Sequence, residues 1–360
     1  MPAAPELALL RAFAARGRFN GTPALAEART RCAEHLRALG FTVREAPFQF
    51  SAVPARFGMP AVGLASVVLL AGVALARSWG RVSPIVAAAA GVLLLARLAA
   101  WLTSPRAQML SYLPTRGVNL EAVGPSDTRI WLVAHLDSKS QRYPLAVRAA
   151  GAALTIAAWA LATAWALASL SVHARWPMAP VLVLGVLGAA LLAMASVGNA
   201  SPGAVDNASG VAAVLAAAEQ LGPAAHVGIL ITDAEELGLA GAHAWARGRG
   251  AGIAINCDTI DDRGEWMLLT SGQRSRAVVT AAAAASTASG VACRARPTPA
   301  GVFTDGVALA RAGWATATLS RATLGTLMRI HTPRDSVGSY EGTAIAPAAA
   351  FLVAIVKELR

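Results

Sequence analysis

Four long apolar stretches set the strongest limit on what this chain can fold into. They run over Phe57–Ala76, Val82–Leu102, Ala149–Ser171 and Pro177–Val197. A helix that crosses a bilayer needs about 20 predominantly apolar residues, and each stretch is about that long. Short turns join the stretches in pairs, at Arg77–Arg81 and at Val172–Trp176. The sequence therefore predicts two transmembrane helical hairpins with four transmembrane helices.

The composition agrees with membrane segments beside a globular part. Of the 360 residues, 56% are hydrophobic, which exceeds the usual share in a soluble protein. The formal net charge of +11 comes mainly from arginines that are scattered singly. Because the chain has no basic run interleaved with aromatic residues, it predicts no nucleic-acid partner. The partner that the apolar stretches predict is the lipid bilayer.

Outside the hairpins, the hydrophobic pattern is that of alternating strands and helices. Thr22 and Pro23 have the residue types of an N-cap and a first helical position, so they predict a helix start. Strands are predicted at Phe41–Phe50, Val118–Val123, Ile130–His135, Val227–Thr232, Ile253–Asp258 and Trp266–Thr270. Further helices are predicted at Gly210–Leu221, Leu239–Ala246, Arg276–Ser289 and Thr343–Leu359. The alternation predicts an α/β fold with a mixed, largely parallel sheet and helices on both faces.

Polar residues that could bind a metal ion stand where the predicted strands end or where loops begin. They are His135, Asp137, Asp206, Glu235, Glu236, Asp258 and His331. In open α/β sheets, binding sites lie outside the carboxyl ends of the strands, so we expect these side chains to converge. Any one of them alone has an ordinary structural interpretation, such as an N-cap or a solvated acidic pair. Two histidines with several carboxylates form the nitrogen and oxygen ligand set that zinc prefers.

The motifs around these residues resemble those of the co-catalytic zinc exopeptidases. That family includes bacterial leucyl aminopeptidase, aminopeptidase Y, glutamate carboxypeptidase and the glutaminyl cyclases. The motifs appear in the family's order: His135-x-Asp137, Gly-Ala-x-Asp206-Asn-Ala-Ser-Gly, Glu235-Glu236-Leu-Gly-Leu-x-Gly, Asp258 and His331-Thr-Pro-x-Asp. The resemblance covers the globular parts and the Gly-Thr-Pro helix start, but neither hairpin. It implies the zinc exopeptidase fold.

The resemblance also implies a cofactor of two zinc ions and a ligand set for each ion. In that set Asp206 bridges the two ions. His135 and Asp258 complete one zinc site, and Glu236 and His331 complete the other.

Two further residues are implied to be catalytic. Glu235 is the implied general base, which takes a proton from a metal-activated water and delivers it to the leaving amine. Asp137 is expected to hydrogen-bond the second nitrogen of His135 and so fix its tautomer. The family often has a cis peptide after its bridging aspartate, which makes Asp206–Asn207 the expected position here.

The chain departs from the family pattern near Phe303-Thr304-Asp305-Gly306. This segment resembles a family loop that carries Asp-His, and Gly306 replaces the histidine. Thr304 and Asp305 are therefore candidates for the substrate pocket, whose details stay open. The motif Asp137-Ser138-Lys139 resembles one of the cyclases, whereas the motif Leu237–Gly241 resembles one of the peptidases.

By resemblance, the chain is a membrane-bound zinc metallopeptidase, a hydrolase whose implied activity is that of an aminopeptidase acting on peptides. A glutaminyl cyclase-like aminoacyltransferase and a carboxypeptidase are alternatives, and a non-enzymatic membrane scaffold is a third. A scaffold should have lost ligands, and here all five are present together with Glu235. The second hairpin begins about ten residues after Asp137 and ends about ten before Asp206. Since extended chain spans at most about 3.3–3.6 Å per residue, we expect membrane-associated peptides among the substrates.

Four crossings return the chain to its starting side. Residues 1–56, 103–145 and 198–360 are therefore predicted to form one catalytic domain, interrupted by hairpins at 57–102 and 146–197. The flanks on that side carry five basic residues, against three in the opposite turns, at Arg77, Arg81 and Arg175. This excess predicts a cytoplasmic catalytic domain. The unpaired Cys32, Cys257 and Cys293, and an amino terminus without a signal-peptide pattern, predict the same side.

Overall fold

The computed structural model describes residues 5–109, 113–171, 177–272 and 275–360. It divides into two compact units. The first, here called the α/β unit, contains Met1–Phe50, Ser111–Ser140 and Gly198–Arg360. The second, the apolar unit, contains Ser51–Leu110 and Gln141–Val197. The predicted turn at Val172–Trp176 lies outside the described residues.

The described helices and the strands of the main sheet follow in chain order. The helices are α1 (Pro5–Phe13), α2 (Pro23–Ala38), α3 (Val53–Ala76), α4 (Ser83–Leu102), α5 (Pro105–Gln108), α6 (Leu145–Ala168), α7 (Ala179–Ala193), α8 (Ser209–Leu221), α9 (Ala240–Ala246), α10 (Arg276–Ser289), α11 (Asp305–Arg311), α12 (Leu324–Arg329) and α13 (Ile345–Leu359). The strands are β1 (Thr42–Ser51), β2 (Pro114–Val123), β3 (Ile130–His135), β4 (Val227–Thr232), β5 (Ile253–Ile260), β6 (Glu265–Thr270), β7 (Cys293–Pro297) and β8 (Ala315–Ala322).

The main sheet has eight strands in the order β1-β2-β4-β3-β5-β8-β6-β7. The four central strands, β4, β3, β5 and β8, are parallel neighbours. Antiparallel strands flank them, because β2 pairs with β4 and β6 pairs with β8 in the opposite direction. The prediction of an α/β fold with a mixed, largely parallel sheet is confirmed.

Helices cover both faces of this sheet, as predicted. Successive residues of a strand point to opposite faces, and β3 follows this rule. Leu132 packs in one buried cluster with residues of α8 and α13. Its neighbours Trp131 and Val133 pack in a second cluster with Trp245 of α9 and Leu309 of α11. A strand that is buried on both faces has apolar residues at successive positions. This explains the uninterrupted apolar sequence of Ile130–Ala134.

The parallel arrangement brings four strand ends to one edge of the sheet. β3 ends at His135, and β4 ends at Thr232, immediately before the acidic segment that contains Glu235. β5 continues two residues beyond its predicted end at Asp258, to Ile260. β8 leads into α12, and His331 follows that helix. The fold thus positions the predicted metal-binding residues at this edge.

Three described helices are long and apolar enough to cross a membrane, by length and composition. They are Val53–Trp79, Ser83–Leu102 and Ala146–Ala168. The fourth predicted span, Pro177–Val197, contains a shorter apolar helix of 15 residues, Ala179–Ala193. At about 1.5 Å per residue such a helix rises only about 22 Å, short of a hydrocarbon core about 30 Å thick. Four spanning helices are therefore not confirmed.

The apolar unit has its own core and an apolar exterior. Leu70 and Val73 pack with Trp159, whose indole nitrogen donates to the Ser66 hydroxyl at 2.8 Å. Many large apolar side chains are nevertheless exposed, including Leu75, which is 69% exposed. Exposed apolar surface on this scale is typical of a membrane or protein contact. It agrees with helices that face lipid.

Candidate metal centre

Two groups of metal-binding side chains lie at the carboxyl edge of the parallel strands. One group consists of His135, Glu235 and Asp258, and the other of Asp206, Glu236 and His331. Within each group, one nitrogen or oxygen of every residue lies within 4.8 Å of the others. All six residues are between 1% and 9% exposed. We call these sets the His135 group and the His331 group.

Asp206 links the two groups through its two carboxylate oxygens. Oδ1 of Asp206 lies 3.2 Å from Nε2 of His135, and Oδ2 lies 3.0 Å from Nε2 of His331. Asp258 Oδ1 lies 3.5 Å from the His135 nitrogen, and Glu236 Oε1 lies 3.4 Å from the His331 nitrogen. Each imidazole thus faces one carboxylate of its own and one oxygen of Asp206. This is the arrangement that a carboxylate shared by two cations requires.

Glu235 belongs to the His135 group but lies slightly farther from the imidazole than the other carboxylates do. Its Oε2 lies 3.9 Å from Nε2 of His135, a longer distance than those of Asp206 and Asp258. Burial raises the pKa of Glu235 well above its ordinary value; His135 opposes this shift, and Glu236 adds to it by repulsion. A raised pKa makes a carboxylate a stronger proton acceptor.

Asp137 contacts His135, but not through the atom that the sequence predicts. His135 Nδ1 lies 3.0 Å from the backbone carbonyl of Asp137, whereas the Asp137 carboxylate is 3.7 Å from that nitrogen. The carboxylate instead accepts hydrogen bonds from the backbone N–H groups of Glu235 and Glu236, each at 3.1 Å. The carboxylate is thus farther from Nδ1 than the backbone carbonyl is, and its role in fixing the His135 tautomer stays a prediction. An N–H donated to the carbonyl would leave His135 Nε2 unprotonated and able to bind a metal.

Asp335 holds the turn that carries Asp206. Its carboxylate accepts hydrogen bonds from the backbone N–H of Val205 at 2.8 Å and of Asp206 at 3.1 Å. On the other side of the turn, the Asn207 amide donates to the Cys257 carbonyl at 2.9 Å, next to Asp258. The Asp206–Asn207 peptide is cis, as predicted. The sequence motif includes Asp335, but its spacing assigns the residue no role.

Arg18 is a buried residue that sequence reasoning missed. Its guanidinium donates to the carbonyls of Phe13, Leu136, Pro202 and Gly203 at 2.5–3.0 Å. Leu136 follows His135 directly, and Gly203 begins the Asp206 turn, so Arg18 joins the two segments. Gly203 has φ +61, and a Cβ there would lie 2.4 Å from the Asp206 carbonyl, so the turn needs glycine. Nothing in the sequence singles out this arginine among the many others.

The two substrate-pocket candidates are buried beneath the surface. Asp305 has no exposed surface and accepts a short hydrogen bond from the Thr232 hydroxyl. Thr304 is 6% exposed, and its hydroxyl lies 2.9 Å from that of Thr318. A Cβ at Gly306 would lie 2.5 Å from the Thr318 hydroxyl, so the histidine of the family loop has no room here. The place of Thr304 and Asp305 in a substrate pocket stays a prediction.

The donor set fits zinc. Each group combines an imidazole nitrogen with carboxylate oxygens, and zinc binds such nitrogen and oxygen ligands. Several carboxylates are buried together, which is costly unless a cation compensates their charge. Zinc is therefore a suitable cation for this centre.

Comparisons with known proteins agree with this fold. Residues 190–356 match the model of peptidase family M28. No curated protein matches the sequence significantly.

Solved structures share the fold. An aminopeptidase from Aneurinibacillus sp. strain AM-1 is 14% identical, with a TM-score of 0.58, 98% of this chain covered and 93% of that one. A zinc aminopeptidase from Bacillus subtilis is 14% identical, with a TM-score of 0.57 and coverages of 98% and 94%. A glutaminyl cyclase from Porphyromonas gingivalis is 12% identical, with a TM-score of 0.55 and coverages of 99% and 97%. The match over residues 190–356 and the shared fold agree with the resemblance of this chain to the co-catalytic zinc exopeptidases.

Proposed function

We propose that this chain is a membrane-bound, zinc-dependent aminopeptidase. The observation that carries the proposal is the position of Asp206, which offers one oxygen to the His135 group and the other to the His331 group. Glu235 lies beside this pair of groups as an additional carboxylate. A shared carboxylate with a separate acidic side chain is the arrangement that metal-assisted hydrolysis of an acyl bond needs.

We assign one zinc ion to each group. His135 and Asp258 would hold one ion, Glu236 and His331 would hold the other, and Asp206 would contact both. Bound zinc would supply Lewis acidity, which polarises the scissile carbonyl and lowers the pKa of water.

Glu235 moves the proton in this proposal. Its carboxylate takes a proton from the attacking water and then delivers it to the nitrogen of the departing amine. Asp137 orients Glu235, because its carboxylate holds the backbone N–H groups of both Glu235 and Glu236. Asp137 therefore positions the base without touching the substrate.

Mass spectrometry of peptide products tests the proposal directly. The purified, zinc-loaded chain is incubated with one peptide that has free ends and with versions blocked at either end. Loss of single residues from the free amino end, abolished by amino-terminal acetylation, is the expected result. Shortening from the carboxyl end would indicate a carboxypeptidase, and no change with any peptide would favour a non-enzymatic scaffold.

A glutaminyl cyclase is the second candidate. The structural neighbours include glutaminyl cyclases with TM-scores of 0.54 and 0.55. A peptide that begins with glutamine distinguishes the two activities. A cyclase releases ammonia without shortening the peptide, whereas an aminopeptidase releases free glutamine.

The membrane setting is part of the proposal and rests on the three long apolar helices. We propose that the catalytic part lies on the cytoplasmic side and that membrane-associated peptides are among its substrates. In liposomes, a lipid-tailed peptide should be cleaved faster than the same peptide without the tail. Equal rates would leave the helices as an anchor. Protease accessibility in sealed vesicles of known orientation tests on which side of the membrane the catalytic part lies.

A further inference from the structure

An arginine lies inside the apolar span of α4. Arg97 stands five residues before Leu102, the last residue of this helix, so it lies about 7.5 Å from the helix end along the axis. Its side chain is exposed, and it has no ion pair or hydrogen bond among the residues that the structure describes. A charged side chain in a membrane span is costly unless it meets an opposite charge or reaches the membrane surface.

The apolar unit has no acidic residue that could pair with Arg97. Its segments, residues 51–110 and 141–197, contain eight arginines but no aspartate and no glutamate. A protein surface with charge of one sign attracts ions of the opposite sign from its surroundings. The charge that compensates Arg97 is therefore expected to come from outside the helices of this unit.

The face of α4 that carries Arg97 is suited to contact lipid. Leu93, Arg97 and Trp101 are spaced four residues apart, so they lie on one face of the helix. Leu93 is 58% exposed and Trp101 is 47% exposed. Tryptophan is enriched where a span meets the lipid headgroups, so Trp101 marks that level and Arg97 lies about one turn inside it. The long Arg97 side chain can therefore snorkel along this face to the headgroups.

Other arginines flank the same end of the apolar unit. α3 begins where α4 ends, because a Cβ on Gly58 would lie 3.5 Å from the Leu102 side chain. α6 begins at this end too, since a Cβ on Gly63 of α3 or on Gly151 of α6 would lie 3.1 or 2.9 Å from residues near the end of α7. We call this the arginine-rich end. Besides Arg97, the arginines that flank it are Arg56, Arg106, Arg142 and Arg148.

We propose that Arg97, together with the arginine-rich end, binds the headgroup of an anionic phospholipid. This inference rests on the membrane setting of the proposed function. A guanidinium offers two parallel N–H donors to phosphate oxygens, while the exposed apolar residues of α4, such as Leu93, contact the acyl chains. The lipid thus supplies the negative charge that the apolar unit lacks.

Native mass spectrometry tests the proposal on the full chain in a neutral detergent. The chain is titrated with phosphatidylglycerol or with phosphatidylcholine of the same acyl chains. The wild type should bind the anionic lipid more tightly than the zwitterionic one. Arg97→Gln should reduce this preference by about 5-fold, the contribution typical of one arginine at an anionic membrane surface. Arg97→Lys, which keeps the charge, should retain most of the preference.

Arg81→Gln is the matched control. Arg81 is an exposed arginine in the turn between α3 and α4, at the opposite end of the apolar unit, so its loss should leave the preference unchanged. Equal affinities for the two lipids in the wild type overturn the proposal. An unchanged preference in Arg97→Gln, or equal losses in Arg97→Gln and Arg81→Gln, does so as well. Arg97→Leu serves as a second neutral variant if Arg97→Gln does not fold by circular dichroism.

Two further measurements exclude other ligands of Arg97. Inorganic phosphate at the concentration of the lipid should not displace it, because acyl chains contribute to lipid binding. Displacement would make free phosphate the ligand and overturn the proposal. Light scattering should give the same oligomeric state for the wild type and Arg97→Gln. A wild-type oligomer that dissociates in Arg97→Gln would show that Arg97 contacts another chain, which also overturns the proposal.

Lipid binding is measured without peptide, so this inference and the proposed function can fail separately. If the lipid preference depends on Arg97 but no peptide is cleaved, the inference stands and the aminopeptidase assignment fails. If peptides are cleaved while the two lipids bind equally, the assignment stands and the inference fails.

Discussion

The His135 group and the His331 group share one construction but differ in their charged surroundings. In both, a buried aspartate that follows the histidine within four residues holds the backbone of another ligand-bearing segment. Asp137 holds the N–H groups of Glu235 and Glu236, and Asp335 holds those of Val205 and Asp206. The difference is that a base candidate, Glu235, stands at one group and a cation, Lys139, at the other.

This comparison suggests that the two groups of the centre have different roles. In the proposed function, the His135 group would hold a metal ion beside Glu235, the carboxylate that moves the proton. Asp206 belongs to both groups and should therefore couple them. The four predictions below test this interpretation.

Removing Asp206 should have the largest effect. Because both groups depend on its oxygens, Asp206→Ala should lose both zinc ions and all measurable activity. Zinc content after dialysis, measured by mass spectrometry of the metal, checks this. Asp258→Ala and His331→Ala are the matched variants, and each should retain one ion. Two ions remaining in Asp206→Ala would show that the groups are independent of it.

Neutralising Glu235 should separate chemistry from metal binding. Glu235→Gln should lower kcat by about 10²–10⁴-fold, the typical contribution of general acid–base catalysis. Its zinc content should stay near that of the wild type, because the closer carboxylates remain. Activity within a few-fold of the wild type would assign the base to another residue, and loss of zinc would make Glu235 a ligand.

Loosening the Asp206 turn should weaken both groups together. Asp335→Asn keeps the size of the side chain but removes the charge that accepts two backbone N–H groups. We expect both zinc-binding steps to weaken by about 10–100-fold, since residues that orient metal ligands have effects of this size. Weakening of both steps together is the informative result. A change confined to one step would contradict the shared role of the turn.

The smallest effect is expected at Arg18. Lysine has three N–H donors and cannot reach the four carbonyls that the planar guanidinium serves, so Arg18→Lys should lower stability by about 1–3 kcal/mol. Both zinc steps should weaken equally, by a few-fold. Chemical unfolding in detergent measures the first effect. Arg16→Lys is the control, because the Arg16 side chain is 68% exposed. This variant should change neither stability nor zinc binding.

The sequence predicts the elements of this fold where hydrophobic residues alternate with turns. β3 and β4 occur at the residues predicted, and α10 does as well. β8 is missed, although it lies in the middle of the sheet, because its buried positions include Thr316 and Thr318 in place of apolar residues. β7, α11 and α12 are also not predicted.

The candidate site shows a similar limit. Residue types and strand ends predict which side chains converge at the sheet edge. They do not predict contacts between distant segments, such as those of Arg18, or the direction in which the Asp137 carboxylate points. Such contacts depend on tertiary packing, which local patterns do not encode. The shortened fourth span likewise depends on where a helix ends rather than on apolar content.

The contact between Asp335 and Asp206 has a consequence for how the protein is made. The two residues are 129 positions apart, so the ribosome adds Asp335 well after Asp206. At a translation rate of about 5–20 residues per second, Asp335 is added roughly 6–26 seconds after Asp206. A nascent chain therefore cannot assemble the complete ligand cage early in translation. In the proposed two-zinc centre, full zinc loading would therefore follow synthesis of Asp335.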